Sequence, residues 1–430
     1  MNNILKAVFL LAIVAGCSEI TKTKSISNRT DYARYLNTLR IDLAPLKKEE
    51  AVWIRKIKTE PKGFIFYEKL GRTFNQLFEK TGEIDYLYKA DSVFTIAEKI
   101  SVGKWKVPSL LSLSGLAIKR HDFKKAASYA VSARELTDEK LGPLLTQFDA
   151  EMELGNYQMA GAILDRNKQM NSFDYLVRLS KYKDYQGDLD SAIYYMEQAE
   201  KDVLFYQKDR KLWATSNLAD MYGHAGRIKD SYTSYLKSLS LDSTYDYALK
   251  GIAWLVYSYE GKTEEALEIL RVLQQKTAMP DYYLLLAEIS EYEGKKREAE
   301  KYKNRFLAEA SKSEYVGMYN KYLIEIFNEQ EDFDSALELA RAEVSKRPTA
   351  QTYDWLAWTL FNQGRADEAI QIYREKVEGE TYEPEAIYHM GMVFHETGEA
   401  DGKEYLIESL EASYELGPLV SMEIKRKLKG

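Results

Sequence analysis

Along most of the chain, apolar and polar residues alternate in the rhythm of helices that each bury one face. Residues 47–58 (KKEEAVWIRKIK) place Ala51, Ile54 and Ile57 on a single stripe. Beyond them one unit recurs: a helix, a turn built on Gly, then a small residue five positions later and a large apolar residue four after that. It reads plainly in Gly155–Ala160, Gly187–Ala192, Gly261–Ala266, Gly294–Ala299 and Gly364–Ala369. Degenerate copies carry His121 with Ala126, Gly226 with Ser231, Glu331 with Ala336, and Gly398 with Lys403. The register positions are 90, 126, 160, 192, 231, 266, 299, 336, 369 and 403, which is 313 residues in nine steps, or about 34.8 per step.

That spacing has a physical reading. The small residue lets a second helix approach the first closely, and the large residue fills the space between them. Neither helix can bury its stripe alone, so each pair rests on its neighbours. The flanking residues carry a family resemblance. Tyr67-x₂-Leu70-Gly71-x₂-Phe74, followed by Ala90-x₃-Phe94, resembles the tetratricopeptide repeat (TPR) pattern; so do Leu218-Ala219-x₂-Tyr222 with Ser231-x₃-Tyr235, and Leu356-Ala357-x₂-Leu360 with Ala369-x₃-Tyr373. The resemblance covers residues 64–416. It implies an all-α, right-handed TPR superhelical solenoid of about ten helix-turn-helix repeats, with a concave face lined mainly by first helices. Gly71 and Ala90 are 19 residues apart, against 12 in the family, so the first helix is expected to be about two turns longer. Long steps in the register place extra loop near 201–209 and 311–317. An amphipathic helix over 46–63 opens the array and a helix over 417–430 closes it.

The N-terminus differs in kind. A lysine at position 6 precedes the uncharged run 7–15, too short to span a bilayer as a helix. The run ends Val14-Ala15-Gly16-Cys17, which resembles the bacterial lipobox, and Cys17 is the chain's single cysteine. The resemblance implies a signal peptide over 1–16, lipid on Cys17, and a polar tether over 17–45. Ser18 rather than Asp follows the cysteine, so outer-membrane attachment is expected, with the periplasmic face favoured over the cell surface.

Composition removes several classes of function. The 430 residues carry 60 Lys+Arg and 67 Asp+Glu, a formal charge of −7, which does not point to nucleic acid. One cysteine allows neither an internal disulfide nor a CxxC metal site. The four histidines form no chelating pair: His389 and His395 are six residues apart, about 120° around a helix. No G-x-S-x-G and no phosphate-binding loop occurs. The expectation is a chain that is not an enzyme, with no cofactor and no metal.

The remaining candidate is the groove. Projected from the turns, Trp213, Tyr322, Trp355, Trp358, Phe361, Tyr388 and His395 fall on first helices, beside Asp220, Lys321, Glu325, Asp354 and Met392. Trp355, Trp358 and Phe361 form either a peptide-anchoring patch or core between repeats, since large aromatics serve both purposes. The expected function is a non-enzymatic protein–protein interaction scaffold at the outer membrane, holding an envelope protein or extended peptide in its groove. The alternatives are an envelope glycan- or peptidoglycan-binding subunit and, ranked behind it, an enzyme. Carboxylates flanking the aromatics would favour sugar, and apolar pockets would favour peptide.

Overall fold

The computed structural model describes residues 25–38, 42–204, 206–315 and 317–429. The expected signal peptide, Cys17 and the first part of the expected tether lie outside the described residues. No helix among the described residues is long and apolar enough to cross a membrane.

Every regular element described is helical. Two N-terminal helices, α1 (Arg29–Thr38) and α2 (Ala44–Thr59), precede ten hairpin-like pairs. These are α3 (Phe64–Thr81) with α4 (Ile84–Ile100), α5 (Val107–Lys119) with α6 (Phe123–Glu135), α7 (Leu141–Glu153) with α8 (Tyr157–Arg166), and α9 (Phe173–Tyr185) with α10 (Leu189–Asp202). Next come α11 (Lys208–His224) with α12 (Ile228–Leu241), α13 (Asp246–Ser258) with α14 (Thr263–Gln274), and α15 (Asp281–Tyr292) with α16 (Lys296–Ala310). The last are α17 (Asn320–Glu329) with α18 (Phe333–Lys346), α19 (Ala350–Asn362) with α20 (Ala366–Ile372), and α21 (Pro384–Thr397) with α22 (Gly402–Glu411). Helix α20 runs on into a π-helical turn, and α23 (Ser413–Lys427) ends the chain. The architecture is an all-α, TPR-like solenoid.

The repeat register explains the packing. Ala90, Ala126, Ala160, Ala192, Ser231, Ala266, Ala336 and Ala369 are fully buried, each at the crossing of its helix pair. Gly71 gives Phe94 its place: a Cβ built on Gly71 would lie 2.7 Å from the Phe94 ring. The tenth register position is shifted by one. Lys403 is exposed, and Gly402 makes the close approach, its built Cβ falling 2.3 Å from the His395 backbone nitrogen. As expected, α3 is long, at 18 residues, and extra loop lies between α10 and α11 and between α16 and α17.

Two features depart from a simple array. The first is the N-terminal segment. Residues 25–38 belong to the expected tether, yet they dock on the middle repeats. Glu260 accepts from the backbone nitrogens of Ile26 (2.7 Å) and Ser27 (2.6 Å) and from the Ser27 hydroxyl (2.7 Å). Tyr32 is fully buried and bonds Glu265, and Asn28 exchanges bonds with the Tyr232 hydroxyl. Two buried tyrosines give this stretch the apolar area that a solvated tether lacks.

The second is that elements 162 to 197 residues apart touch. Ala278 N donates to the Thr81 carbonyl at 2.9 Å, Lys80 pairs with Asp242 at 2.9 Å, and Arg347 lies 3.8 Å from Glu153. Built Cβ atoms on the turn glycines Gly155 and Gly187 would meet Thr349 and Tyr382. A solenoid normally contacts only sequence neighbours. Here the second superhelical turn seats on the first, and α23 packs onto α11, α13, α15 and α21.

Candidate functional site

Helices α17, α19 and α21 are first helices of consecutive repeats, so they present equivalent faces to the inside of the superhelix. Helix α23 crosses that inner face. A backbone break at Gly417 (φ 80°, ψ 170°) followed by Pro418 turns it there, and this break frees the Tyr414 carbonyl. Trp254 Nε1 (3.0 Å) and Ser258 Oγ (2.7 Å) donate to that carbonyl. Beyond the break, Val420 and Ile424 pack with Tyr388, Met392 and Trp358, and Tyr388 donates to Glu423 at 2.9 Å.

Beneath α23 lies a chamber of about 600 Å³. Its aromatic wall is Trp358, Tyr388 and His389. Trp358 and His389 are stacked, with ring centroids 4.3 Å apart and planes 13° from parallel. Its polar wall is Glu325, Asn328, Glu329, Glu385 and Glu423, with Glu291 and Arg426.

His389 is held from behind. Its Nδ1 lies 3.1 Å from buried Asp354, which also accepts from the Tyr373 hydroxyl at 2.9 Å. Burial pulls the imidazole down, but Asp354 and then Glu385 outweigh it and hold its pKa above the ordinary value. Burial raises Asp354, against the pull of His389. Lys321 bonds Glu385 and sits 3.8 Å from Glu325. Burial, and then Glu385 beside it, push the Glu325 carboxyl well above the usual range. Burial also disfavours an ionised Glu385, yet Lys321 and His389 outweigh it and leave that carboxyl below the ordinary value. Two oxygens are unmatched: Glu325 Oε1 and Asn328 Oδ1 are buried with no hydrogen-bond partner among the described residues. An unpaired buried acceptor costs about 1–3 kcal/mol, so Asn328 Oδ1 is poised for a donor, whereas the raised Glu325 carboxyl keeps its own proton beside Glu385.

The sequence candidates separate on this geometry. Trp358 and Tyr388 line the chamber. Phe361 stacks behind Trp358 at 5.8 Å. Trp355 is core, 4% exposed, with Arg347 over its ring at 5.2 Å. Tyr322 packs edge-on against Phe306. His395 is half-buried beside Gly402, away from the chamber. Trp213 is 44% exposed on α11, edge-on to Phe173. Sequence reasoning missed the Asp354–His389 pair, Asn328, and the placement of α23 on the inner face. The signal for the pair was its 35-residue separation, one repeat, which sets two polar residues side by side on adjacent first helices. Among the described residues no group of three or more His, Cys, Asp or Glu is arranged to hold a metal ion.

A second chamber of about 610 Å³ lies between the superhelical turns, with Glu153, Lys181, Asp184, His224, Arg347 and Glu415 among its walls. Lys181 bonds Glu153 at 2.8 Å there. Arg347 reaches Glu153 across the turns at 3.8 Å there, and His224 Nδ1 lies 3.7 Å from Glu415.

No family model matches the sequence, and no curated protein matches it. Solved structures do. A tetratricopeptide repeat protein from Parabacteroides merdae ATCC 43184 is 18% identical, with 60% of this chain and 97% of that one covered, at a TM-score of 0.34. The APC/C hetero-tetramer Cut9–Hcn1 gives 14% identity over 94% and 99% of the two chains, at 0.35. The human IFIT1 dimer with PPP-AAAA gives 12% over 87% and 95%, at 0.45. These are similarities of fold.

Proposed function

We propose that the protein is a non-enzymatic scaffold, lipid-anchored through Cys17 to the periplasmic face of a bacterial outer membrane, that binds a protein or extended peptide on the inner face of its solenoid. The chamber under α23 carries this reading: it combines an aromatic wall with the unpaired buried acceptor of Asn328, and rigid helices hold both. The Asp354–His389 pair takes a structural part in this reading, since no Ser, Thr, Cys or Lys among the described residues lines the chamber for the imidazole to activate. A second reading, an envelope glycan or peptidoglycan, draws support from the carboxylates beside Trp358 and Tyr388. Against it, one face of Trp358 is already covered by His389, and sugar stacking needs an open ring face.

Crosslinking in cells followed by affinity capture tests the first reading. Wild type should capture a defined envelope protein, and Trp358→Ala, with its helical circular dichroism intact, should lose it. Retention of purified peptidoglycan, with no protein lost on substitution, would favour the second reading. Fractionation tests the anchor separately: Cys17→Ala protein should leave the membrane fraction, and its continued attachment would defeat that part.

A further inference from the structure

At one corner of the first helix pair α2 ends, α3 begins and α4 ends, and residues 101–106 lead on to α5. Rings join these elements: Trp53 stacks on Phe66 at 6.4 Å, and Phe64 lies 6.1 Å from Trp105. Six large apolar side chains are nevertheless exposed here: Ile54, Ile65, Ile96, Ile100, Val102 and Trp105. Val102 is 74% exposed and Trp105 56%. A Cβ built on Gly103, between them, would meet nothing within 4 Å, so this turn stands clear of the body. Single exposed apolar residues are ordinary, but a cluster marks an interaction surface.

The charge around the cluster is mostly of one sign. Over 54–66 and 96–106 stand Arg55, Lys56, Lys58, Lys62, Lys99, Lys104 and Lys106, against Glu60 and Glu98. Glu98 is committed to Lys106 at 2.5 Å. Arg55, Lys58, Lys62, Lys99 and Lys104 are exposed and form no ion pair among the described residues. The neighbouring loop beside Val107 adds Asp138, Glu139 and Lys140, and cations still outnumber carboxylates two to one. The whole chain has the opposite balance, at −7.

From this juxtaposition we infer that the corner docks on an anionic phospholipid surface, with Val102 and Trp105 entering the headgroup layer and the surrounding cations meeting the phosphates. A bilayer uses both halves of the patch. Tryptophan suits the membrane–water boundary, lysine stems lie along apolar surface while their ammonium groups stay among the headgroups, and each lysine near an anionic leaflet adds attraction. An acidic polypeptide would meet the lysines and leave Ile100, Val102 and Trp105 in water. An apolar protein face would bury the lysines unpaired. This deepens the membrane reading proposed above and rests on it: the acyl chain is one attachment and the corner a second. Two contacts fix how the solenoid lies, whereas an acyl chain alone leaves it free to turn. The corner binds reversibly and does not replace the lipid, so Cys17→Ala protein still leaves a washed membrane fraction.

The test is flotation of the full chain carrying Cys17→Ala, which bears no acyl chain, with vesicles of phosphatidylcholine or of phosphatidylcholine and phosphatidylglycerol in equal parts. At low salt the mixed vesicles should be bound about tenfold more tightly or better, and high salt should remove most of that preference. Val102→Asp, at a site with little packing to lose, should weaken binding to the mixed vesicles about tenfold, as should the pair Lys62→Glu and Lys104→Glu. Trp105→Ala should do the same with its helical circular dichroism intact. Equal binding to both vesicles, or binding indifferent to all of these substitutions, would overturn the inference. If mixed vesicles are ignored while poly-glutamate is bound, and the lysine pair abolishes that binding, the bilayer is overturned in favour of an acidic polypeptide. Mass spectrometry of the wild-type N-terminus scores the anchor separately. If Cys17 is acylated and the mixed vesicles are ignored, the anchor stands and this inference falls. If Cys17 is not acylated and the vesicles are bound through the corner, the anchor falls and this inference stands.

Discussion

At the residue scale, the turns show how the repeat tolerates imperfect copies. In clear copies a glycine closes the first helix in the left-handed region, as Gly364 does at φ 84°. In two degenerate copies the same position is held by His121 (φ 56°) and Glu331 (φ 60°). The conformation is thus dictated by the helix pairs on either side, and the residue at the turn bears the strain. A non-glycine residue in that region costs about 1–2 kcal/mol, partly offset by the backbone entropy that glycine loses on folding. Glu331 is exposed, so removing its side chain sacrifices little packing. Glu331→Gly is therefore expected to stabilise the protein by about 0.5–1 kcal/mol, read as a higher urea midpoint at unchanged slope. A lower midpoint would mean that the Glu331 side chain makes a stabilising interaction that outweighs its strain.

At the element scale, the helix pairs were legible because their signal is local. Gly turn, small residue and large apolar residue lie within nine positions, and the same close approach fixes all three. The docking of residues 25–38 was not legible. Their polar composition reads as tether, and their partner Glu260 sits more than 230 residues away in another turn. Glu260→Ala removes the acceptor for two backbone nitrogens and a hydroxyl, bonds to a charged group worth about 1.5–3 kcal/mol each at most. Amide exchange across 25–38 should then rise by tenfold or more while the repeats keep their protection. Unchanged exchange would show that the two buried tyrosines and the bonds to Glu265 and Tyr232 hold the segment without Glu260. Helix α23 offers a pH test. Glu288 on α15 lies against its Gly417 break, and burial pushes that carboxyl up to about 7, against the neighbouring Tyr257 hydroxyl and with help from Glu291. A raised carboxyl favours folding while protonated. Its contribution is complete below the ordinary value of 4.5 and is lost as pH climbs through about 7. Glu288→Gln should abolish that decline, so melting curves of the variant stay flatter than wild type between pH 5 and about 8. Parallel curves would refute the assignment.

At the scale of the whole molecule, the unexpected property is closure. The sequence carries each repeat's contact with the next, because neighbouring copies impose periodicity on each other. It carries no such sign of contacts one superhelical turn away, where each pair of residues is met once. The chamber shares that obscurity: Trp358 and Tyr388 were visible as aromatics on first helices, whereas Asn328 and the α23 wall depend on how far the superhelix winds. Arg347 is where closure can be tested. It is 7% exposed, bonds Glu343 at 3.2 Å within its own repeat, and reaches across to Glu153 at 3.8 Å and over the Phe123 ring at 5.2 Å. Removing one partner of a buried pair costs about 3–5 kcal/mol. Glu343 keeps Asn320 and Lys346, which places Arg347→Ala at the lower end of that range, about 3 kcal/mol. Where the loss appears is the stronger test. In a one-dimensional array, protection would fall only around α17 to α20. In the closed superhelix, amides at the α5–α6 turn and at the end of α7, near Phe123 and Glu153, must lose protection as well, although they lie 224 and 194 residues earlier in the chain. If hydrogen exchange in Arg347→Ala changes only near the substitution, the turns are stacked without being coupled, and the solenoid unfolds as a simple chain of repeats.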